Sequence, residues 1–66
     1  MHEELQRLVD ALALLPKDER AAVELHHLHG WSLKEIAESL MRTEPAIAGL
    51  LHRGLKRLRR LLQEKE

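Results

Sequence analysis

The stretch that decides the fold runs from Gly30 to Leu62 and reads GWSLKEIAESLMRTEPAIAGLLHRGLKRLRRLL. It opens with a helix start signal: Ser32 can cap a helix N-terminus, and Glu35, three residues later, can reach back to the backbone N–H of the cap. Trp31 before the cap and Ile36 at the fourth helical position predict a hydrophobic staple. We therefore predict a short helix with one buried stripe. The residues of that stripe are Leu33, Ile36, Ala37 and Leu40.

A very short connection follows this helix. Met41, Arg42 and Thr43 separate it from the next apolar pattern, in which Thr43 is a suitable N-cap and Pro45 is tolerated in the first turn. A fourth helix is predicted over about residues 44–63. Two helices joined by so short a turn cross steeply, which is the geometry of a helix-turn-helix, and the second helix of that motif lies in the DNA major groove.

The predicted fourth helix has two chemically different faces at about 100° per residue. The core face is expected to hold Ile47, Leu51, Gly54, Leu55, Leu58, Leu61 and Leu62. The opposite face holds Gly49, His52, Arg53, Lys56, Arg59 and Arg60. Small residues at the start of the helix, Ala46, Ala48 and Gly49, allow a close approach to a ligand. This pattern indicates contact with an anion, and its match to phosphate spacing favours nucleic acid over a membrane surface.

The rest of the chain predicts two supporting helices. An apolar pattern at helical spacing predicts a first helix over about residues 3–14. Pro16 ends it and suits the first turn of a second helix, over about residues 16–29, where Asp18 and Glu19 complement the positive end of the helix dipole. Gly30 is placed to take a left-handed conformation at the C-terminus of that helix.

Composition restricts the class of protein. A chain of 66 residues with a formal net charge of zero is expected to form a single helical domain over residues 1–66. The first 30 residues are predominantly acidic and the last 26 predominantly basic, which is typical of a protein that meets a polyanion with one face. The sequence has no cysteine, no membrane span and no signal peptide pattern, so a cytoplasmic location is expected.

The segment ALALLPKDERAAVELHHLHGWSLKEIAESLMRTEPAIAGLLHRGLKRLRRLL resembles region 4, the C-terminal domain, of bacterial sigma factors of the sigma-70 superfamily, especially the extracytoplasmic-function type. The marks of the resemblance are LP before the second helix, the charged KDER, the glycine ahead of SLKEIAESL, and the closing LLHRGLKRLRRLL. They occur in order and without interruption from about Leu8 to Leu62.

The resemblance implies an all-α, four-helix domain with a C-terminal helix-turn-helix of the sigma region 4, winged-helix-like type. Its last two helices would bind double-stranded promoter DNA at the −35 element, and its other surface would dock on the β-subunit flap of RNA polymerase. An anti-sigma factor is a further possible partner. The domain is expected to be a monomer without catalytic activity, without a cofactor and without membrane contact.

The predicted DNA-binding residues are Arg42, Thr43, Ala46, Gly49, His52, Arg53, Lys56, Arg57 and Arg60. Arg53 and Lys56 are the strongest candidates for phosphate contact. For Arg57 an ion pair with a scaffold acid such as Glu24 is the alternative. His52 would bind phosphate more strongly when it becomes protonated in mild acid, and alanine can meet a thymine methyl group.

Two features leave alternatives open. Many members of the resembled family have Gly where this chain has Met41, so a left-handed residue here would cost roughly 1 kcal/mol, or the turn has another shape. Exposure of Leu50, Leu55 and Leu61 would favour a protein-interaction module, which binds an anti-sigma factor or self-associates, over DNA binding. A dimeric helix-turn-helix repressor ranks third. No metal site is expected from His26, His27 and His29, since no cysteine or second cluster completes one.

Overall fold

The computed structural model describes residues 2–63, with side chains from Glu3 onward, and shows the predicted all-α fold. The helices are α1 (His2–Ala13), α2 (Lys17–Val23), α3 (Leu33–Leu40) and α4 (Glu44–Gln63). α2 continues into a π-helical segment, Glu24–Leu28. Within residues 2–63 there is no strand. The prediction of one domain over residues 1–66 includes Met1 and residues 64–66, which lie outside the described range.

The connection between α1 and α2 is built around Pro16. Leu14 and Leu15 donate their backbone N–H groups to Ala11 and Leu12 at 3.0 and 3.1 Å, which closes the end of α1. Pro16 then takes φ −54° and ψ 150° and accepts the first helical hydrogen bond of α2 from Arg20 at 2.9 Å. The proline therefore occupies the N-cap position, one residue before the first turn in which it was predicted.

The end of the second helix differs from the regular α-helix predicted to residue 29. Residues Glu24–Leu28 form a π-helix, in which the N–H of His29 donates to the carbonyl of Glu24 at 3.2 Å. Gly30 has the predicted left-handed conformation, with φ +73°. This conformation returns the chain so that the N–H of Trp31 reaches the carbonyl of Leu25 at 2.9 Å. Trp31 is half-buried and packs on the core.

Both ends of α3 follow local sequence rules. The predicted capping box is confirmed: the N–H of Glu35 donates to Ser32 Oγ at 3.1 Å, and the N–H of Ser32 donates to Glu35 Oε1 at 2.7 Å. At the other end Met41 is left-handed, with φ 59° and ψ 46°. The N–H of Arg42 donates to the carbonyl of Ala37 at 2.9 Å, as in a Schellman motif. Of the two alternatives for Met41, the structure therefore shows the left-handed residue and not a turn of another shape.

A single apolar core joins the helices. Ile36 of α3 and Ile47 of α4 are fully buried at its centre. α2 and α4 approach most closely at Gly54, where an added Cβ would lie only 2.8 Å from Val23 Cγ2. The buried apolar residues of the described chain are Ala11, Leu12, Leu15, Ala22, Val23, Ile36, Ala37, Ile47, Leu50, Leu51 and Leu58.

Leu50 extends the core beyond the face predicted for α4. It is 7% exposed, because α3 packs beside α4 and widens the buried side of the helix. Leu55 and Leu61 are half-buried against the same core. No large exposed patch is therefore formed by Leu50, Leu55 and Leu61, whose exposure would have favoured a protein-interaction module. No helix among residues 2–63 has the length and apolar character needed to cross a membrane.

Candidate nucleic-acid interface

The turn between α3 and α4 presents α4 with its basic side outward. Thr43 fixes the start of α4: its Oγ1 accepts the N–H of Ala46 at 3.2 Å, and its carbonyl accepts the N–H of Ile47 at 3.0 Å. Thr43 is therefore a helix cap, as predicted. Ile47 and the leucines hold the opposite side of α4 on the core. The exposed residues of the outer side are His52, Arg53, Lys56, Arg57, Arg59 and Arg60.

The nine predicted DNA-binding residues lie together on one surface of the helix-turn-helix. Arg42 and Thr43 are exposed in the turn, Ala46 and Gly49 are half-exposed on the first turns of α4, and the remaining five are exposed further along α4. The structure thus brings the set to one side of the molecule. The structure also shows that two acids in the first turn of α2 face three of the arginines in this set.

Arg57 is paired with a buried acid of α2. Its Nε donates to Glu19 Oε1 at 3.1 Å, and its Nη2 lies 3.5 Å from Glu19 Oε2. The suggested ion-pair partner, Glu24, was the wrong acid, since Glu24 instead accepts from Arg20 at 2.9 Å on the same helical stretch. Glu19 is the one beside α4, because a Cβ at Gly54 would lie 3.4 Å from the Cβ of Glu19.

Arg53 extends over the first half of α4. Its Nε lies 3.8 Å from Glu19 Oε2, an ion pair without a hydrogen bond, and its side chain is 58% exposed. The tip of its guanidinium lies over Gly49, where an added Cβ would be 3.3 Å from Arg53 Nη1. The small size of Gly49 therefore makes room for a cation of the same helix, a role that the sequence did not reveal.

Arg42 forms an exposed ion pair with Asp18, the neighbour of Glu19 on α2. The sequence pattern had indicated Asp18 and Glu19 only as partners of the helix dipole. Their position next to each other in the first turn of α2 was the available signal for this pairing, but it did not show which arginines they would meet. Two adjacent acids thus connect the scaffold with the turn and with α4.

Within residues 3–63, the other basic residues of α4 have no such partner. Within residues 3–63, Lys56, Arg59 and Arg60 form no salt bridge, and His52 is exposed beside them. Their side chains line two shallow grooves. One of about 180 Å³ is lined by Arg53, Lys56, Arg57 and Arg60, and one of about 340 Å³ is lined by His52, Leu55, Lys56 and Arg59.

The histidines form no metal centre in the described chain. His26 and His27 meet edge to face with ring centroids 4.8 Å apart, and His26 Nδ1 lies 2.8 Å from the carbonyl oxygen of Trp31. No group of three histidine, cysteine, aspartate or glutamate residues in the described part of the chain is arranged to hold a metal ion. His26 thus joins the π-helical segment to the residue that precedes α3.

Known proteins with similar sequences identify the family of this chain. The family model for sigma-70, region 4 matches residues 5–58. The RNA polymerase sigma factor CarQ of Myxococcus xanthus is 45% identical over 62 residues, which cover 92% of this chain and 35% of CarQ. The ECF RNA polymerase sigma factor SigX of Bacillus subtilis is 34% identical over 62 residues, covering 94% of this chain and 32% of SigX.

A third relative, the ECF RNA polymerase sigma factor SigL of Mycobacterium tuberculosis, is 37% identical over 57 residues, covering 86% of this chain and 32% of SigL. The chain spans about a third of the length of these relatives. All three are named as RNA polymerase sigma factors, and none as an enzyme, which agrees with the prediction of a non-catalytic domain. The family match covers most of the sequence, and the chain therefore belongs to the sigma-70 region 4 family.

Proposed function

We propose that this chain binds the −35 element of promoter DNA as the region 4 domain of an extracytoplasmic-function sigma factor, and so acts in transcription initiation. The observation that carries the proposal is the row of exposed basic side chains on the outer side of α4, a helix that Thr43 and the core hold in a helix-turn-helix. The names of the related sigma factors support the same role.

In this proposal α4 lies in the major groove. Its half-exposed first turns, with Ala46 and Gly49, bring the helix close to the base edges, where alanine can contact a thymine methyl group. Lys56 and Arg60, which form no salt bridge within residues 3–63, contact phosphates on the groove wall. Binding should therefore weaken steeply with salt, since each neutralised phosphate releases counterions.

The scaffold side is the proposed docking surface for the β-subunit flap of RNA polymerase. Leu5 and Val9, one turn apart on α1, are 62% and 49% exposed. They belong to the part of the molecule that carries no residue of the basic surface. An apolar contact with polymerase there would leave α4 free for DNA and would tether two weak interactions into a stronger one.

The competing function, a protein-interaction module that uses the leucines of α4, has less support. Leu50 is 7% exposed, and Leu55 and Leu61 pack on the core. The side of α4 that a partner helix would need is therefore already covered by the other helices. A free-standing dimeric repressor has no observation in its favour.

An NMR amide-shift titration tests the proposal. The labelled chain is titrated with a −35-type duplex and with a scrambled duplex of equal length, at low and moderate salt. Shifts that cluster from Arg42 to Arg60 and are larger for the promoter duplex are expected. Shifts confined to α1, or no shifts at low salt, would contradict DNA binding and favour a protein partner. Titration with the isolated flap should shift the amides of Leu5 and Val9.

A further inference from the structure

Glu19 is an unusual residue for a surface that binds a polyanion. Among residues 3–63, Glu19 is the one charged residue that is buried. The exposed fraction of its surface is 5% for the whole residue and 7% for the side chain. A buried carboxylate is costly unless it is paired and hydrogen-bonded. Here the partners are two arginines of the DNA-facing helix, so an acid is held directly beneath the proposed interface.

The Glu19 carboxylate accepts a hydrogen bond from Arg57 but forms only a longer ion pair with Arg53. Arg57 Nε, at 3.1 Å, and Nη2, at 3.5 Å, face Glu19, so Arg57 presents one side of its guanidinium to the scaffold. Arg53 is attracted through Nε at 3.8 Å, which leaves both of its Nη groups outside the pair. Arg57 thereby links α2 to α4, whereas the two Nη groups of Arg53 remain available to a ligand.

The direction of Arg53 is set from two sides. Glu19 attracts the base of the guanidinium, and the missing side chain of Gly49 leaves space for Nη1 over the first half of α4. That half of a recognition helix faces the base edges, whereas the rest faces the backbone. The paired Nη groups of an arginine are the donors that bind guanine O6 and N7 in the major groove.

We propose that Glu19 is a positioning residue that directs Arg53 toward a base edge and thereby raises the discrimination of the domain between promoter and other DNA. The inference rests on the proposed DNA-binding function and deepens it. An unrestrained arginine in this position would follow the nearest phosphate. A buried acid next to it makes phosphate contact less favourable, since it repels the backbone, and holds the guanidinium in one orientation.

This role predicts opposite effects on the affinity for scrambled DNA and on the ratio of promoter to scrambled affinity. Glu19→Gln keeps an oxygen that accepts from Arg57, so the fold should be preserved, but it removes the charge that attracts Arg53. Affinity for a scrambled duplex should rise about two- to five-fold, because one acid near the phosphates is lost. The ratio of promoter to scrambled affinity should fall about five-fold or more, since a bidentate contact is lost. A purely structural ion pair would lower both affinities together.

Glu24→Gln is the matched control. It removes the same charge from the same helical stretch, but Glu24 pairs with Arg20 and with neither Arg53 nor Arg57. It should change both affinities by the same small factor and leave their ratio as in the wild type. Circular dichroism melting of both variants checks that they are folded.

A double-mutant cycle tests whether Glu19 acts through Arg53. Arg53→Lys keeps the charge but has no fork, so it should lower the affinity ratio and leave binding to scrambled duplex nearly unchanged. If Glu19 positions Arg53, the double variant should discriminate no worse than Arg53→Lys alone. Fluorescence anisotropy with the two duplexes, at two salt concentrations, measures all four proteins.

The outcomes separate the inference from the function on which it rests. An unchanged affinity ratio in Glu19→Gln, or additive losses in the cycle, would overturn the positioning role while DNA binding stands. A wild type that binds both duplexes equally would overturn it as well. A wild type that binds neither duplex would contradict the proposed function itself. If Glu19→Gln does not fold, the cycle of Gly49→Ala with Arg53→Lys tests the premise of the inference, that the direction of Arg53 sets discrimination, because the added methyl group displaces Arg53 Nη1. An unchanged affinity ratio in Gly49→Ala would overturn the inference.

Discussion

The basic surface formed by α4 and the turn before it has two groups of residues that carry the same charge in the sequence but have different surroundings in the structure. The paired arginines, Arg42, Arg53 and Arg57, each face an acid of α2. The open cations, Lys56, Arg59 and Arg60, form no salt bridge within residues 3–63. Formal charge counts the two groups equally. In the proposed complex with DNA, the open cations would supply attraction to phosphate and the paired arginines would supply orientation.

The largest expected effect is the loss of the surface as a whole. Ile47 is fully buried between α4 and the scaffold, so Ile47→Asp leaves a charge in a core too small to accommodate it. The cost of several kcal/mol is comparable to the total stability of a domain of this size, and the chain should unfold. Far-ultraviolet circular dichroism at 25 °C measures this. A folded variant that still binds DNA would mean that the faces of α4 are assigned in reverse.

The two glycines of α4 test the assignment of its faces more sharply, because replacing each with alanine should change the stability of the fold in opposite directions. Gly54→Ala places a methyl group 2.8 Å from Val23 Cγ2 and should destabilise the fold by about 1–3 kcal/mol through overpacking. Gly49→Ala meets only the flexible end of Arg53, at 3.3 Å, and should stabilise α4 by about 0.5–1 kcal/mol. Thermal melts of both variants measure the difference, and equal shifts in Tm would refute it.

The smallest expected effect is on the salt dependence of DNA binding. It is measured for one open cation, Lys56, and for one paired arginine, Arg42. Lys56→Ala should lower the slope of log affinity against log salt by about one, since an open cation is lost. Asp18→Asn releases Arg42 and should raise that slope by less than one, with a stability change of about 0–1 kcal/mol at most, because the pair is exposed. Equal and opposite changes would show that pairing with Asp18 had fully removed Arg42 from DNA contact.

Local sequence rules were sufficient to predict where α3 and α4 begin. The capping box at Ser32 and the cap at Thr43 predicted where α3 and α4 begin, and α4 covers the residues 44–63 that were expected. These signals act over a few residues, so they need no knowledge of the fold. The same holds for Gly30, whose left-handed conformation follows from its lack of a Cβ.

The features that escaped prediction depend on how helices are rotated against one another. The side that α2 turns toward α4 decides whether Glu19 or Glu24 contacts Arg57. The burial of Leu50 depends on where α3 lies beside α4. The sequence therefore predicted that the basic residues of α4 are exposed, but it did not predict the division of the arginines into paired and open side chains.

The π-helical segment Glu24–Leu28 sets how the chain can tolerate insertions and deletions. A surface loop usually absorbs a change of one residue at little cost. Here the chain is helical from α2 to Leu28, so one residue more or less would change the direction in which the following chain leaves the helix. Trp31 would then lose the carbonyl of Leu25, and Arg42 would no longer lie beside Asp18. The length of this segment thus helps to set where α3 and α4 lie relative to α2.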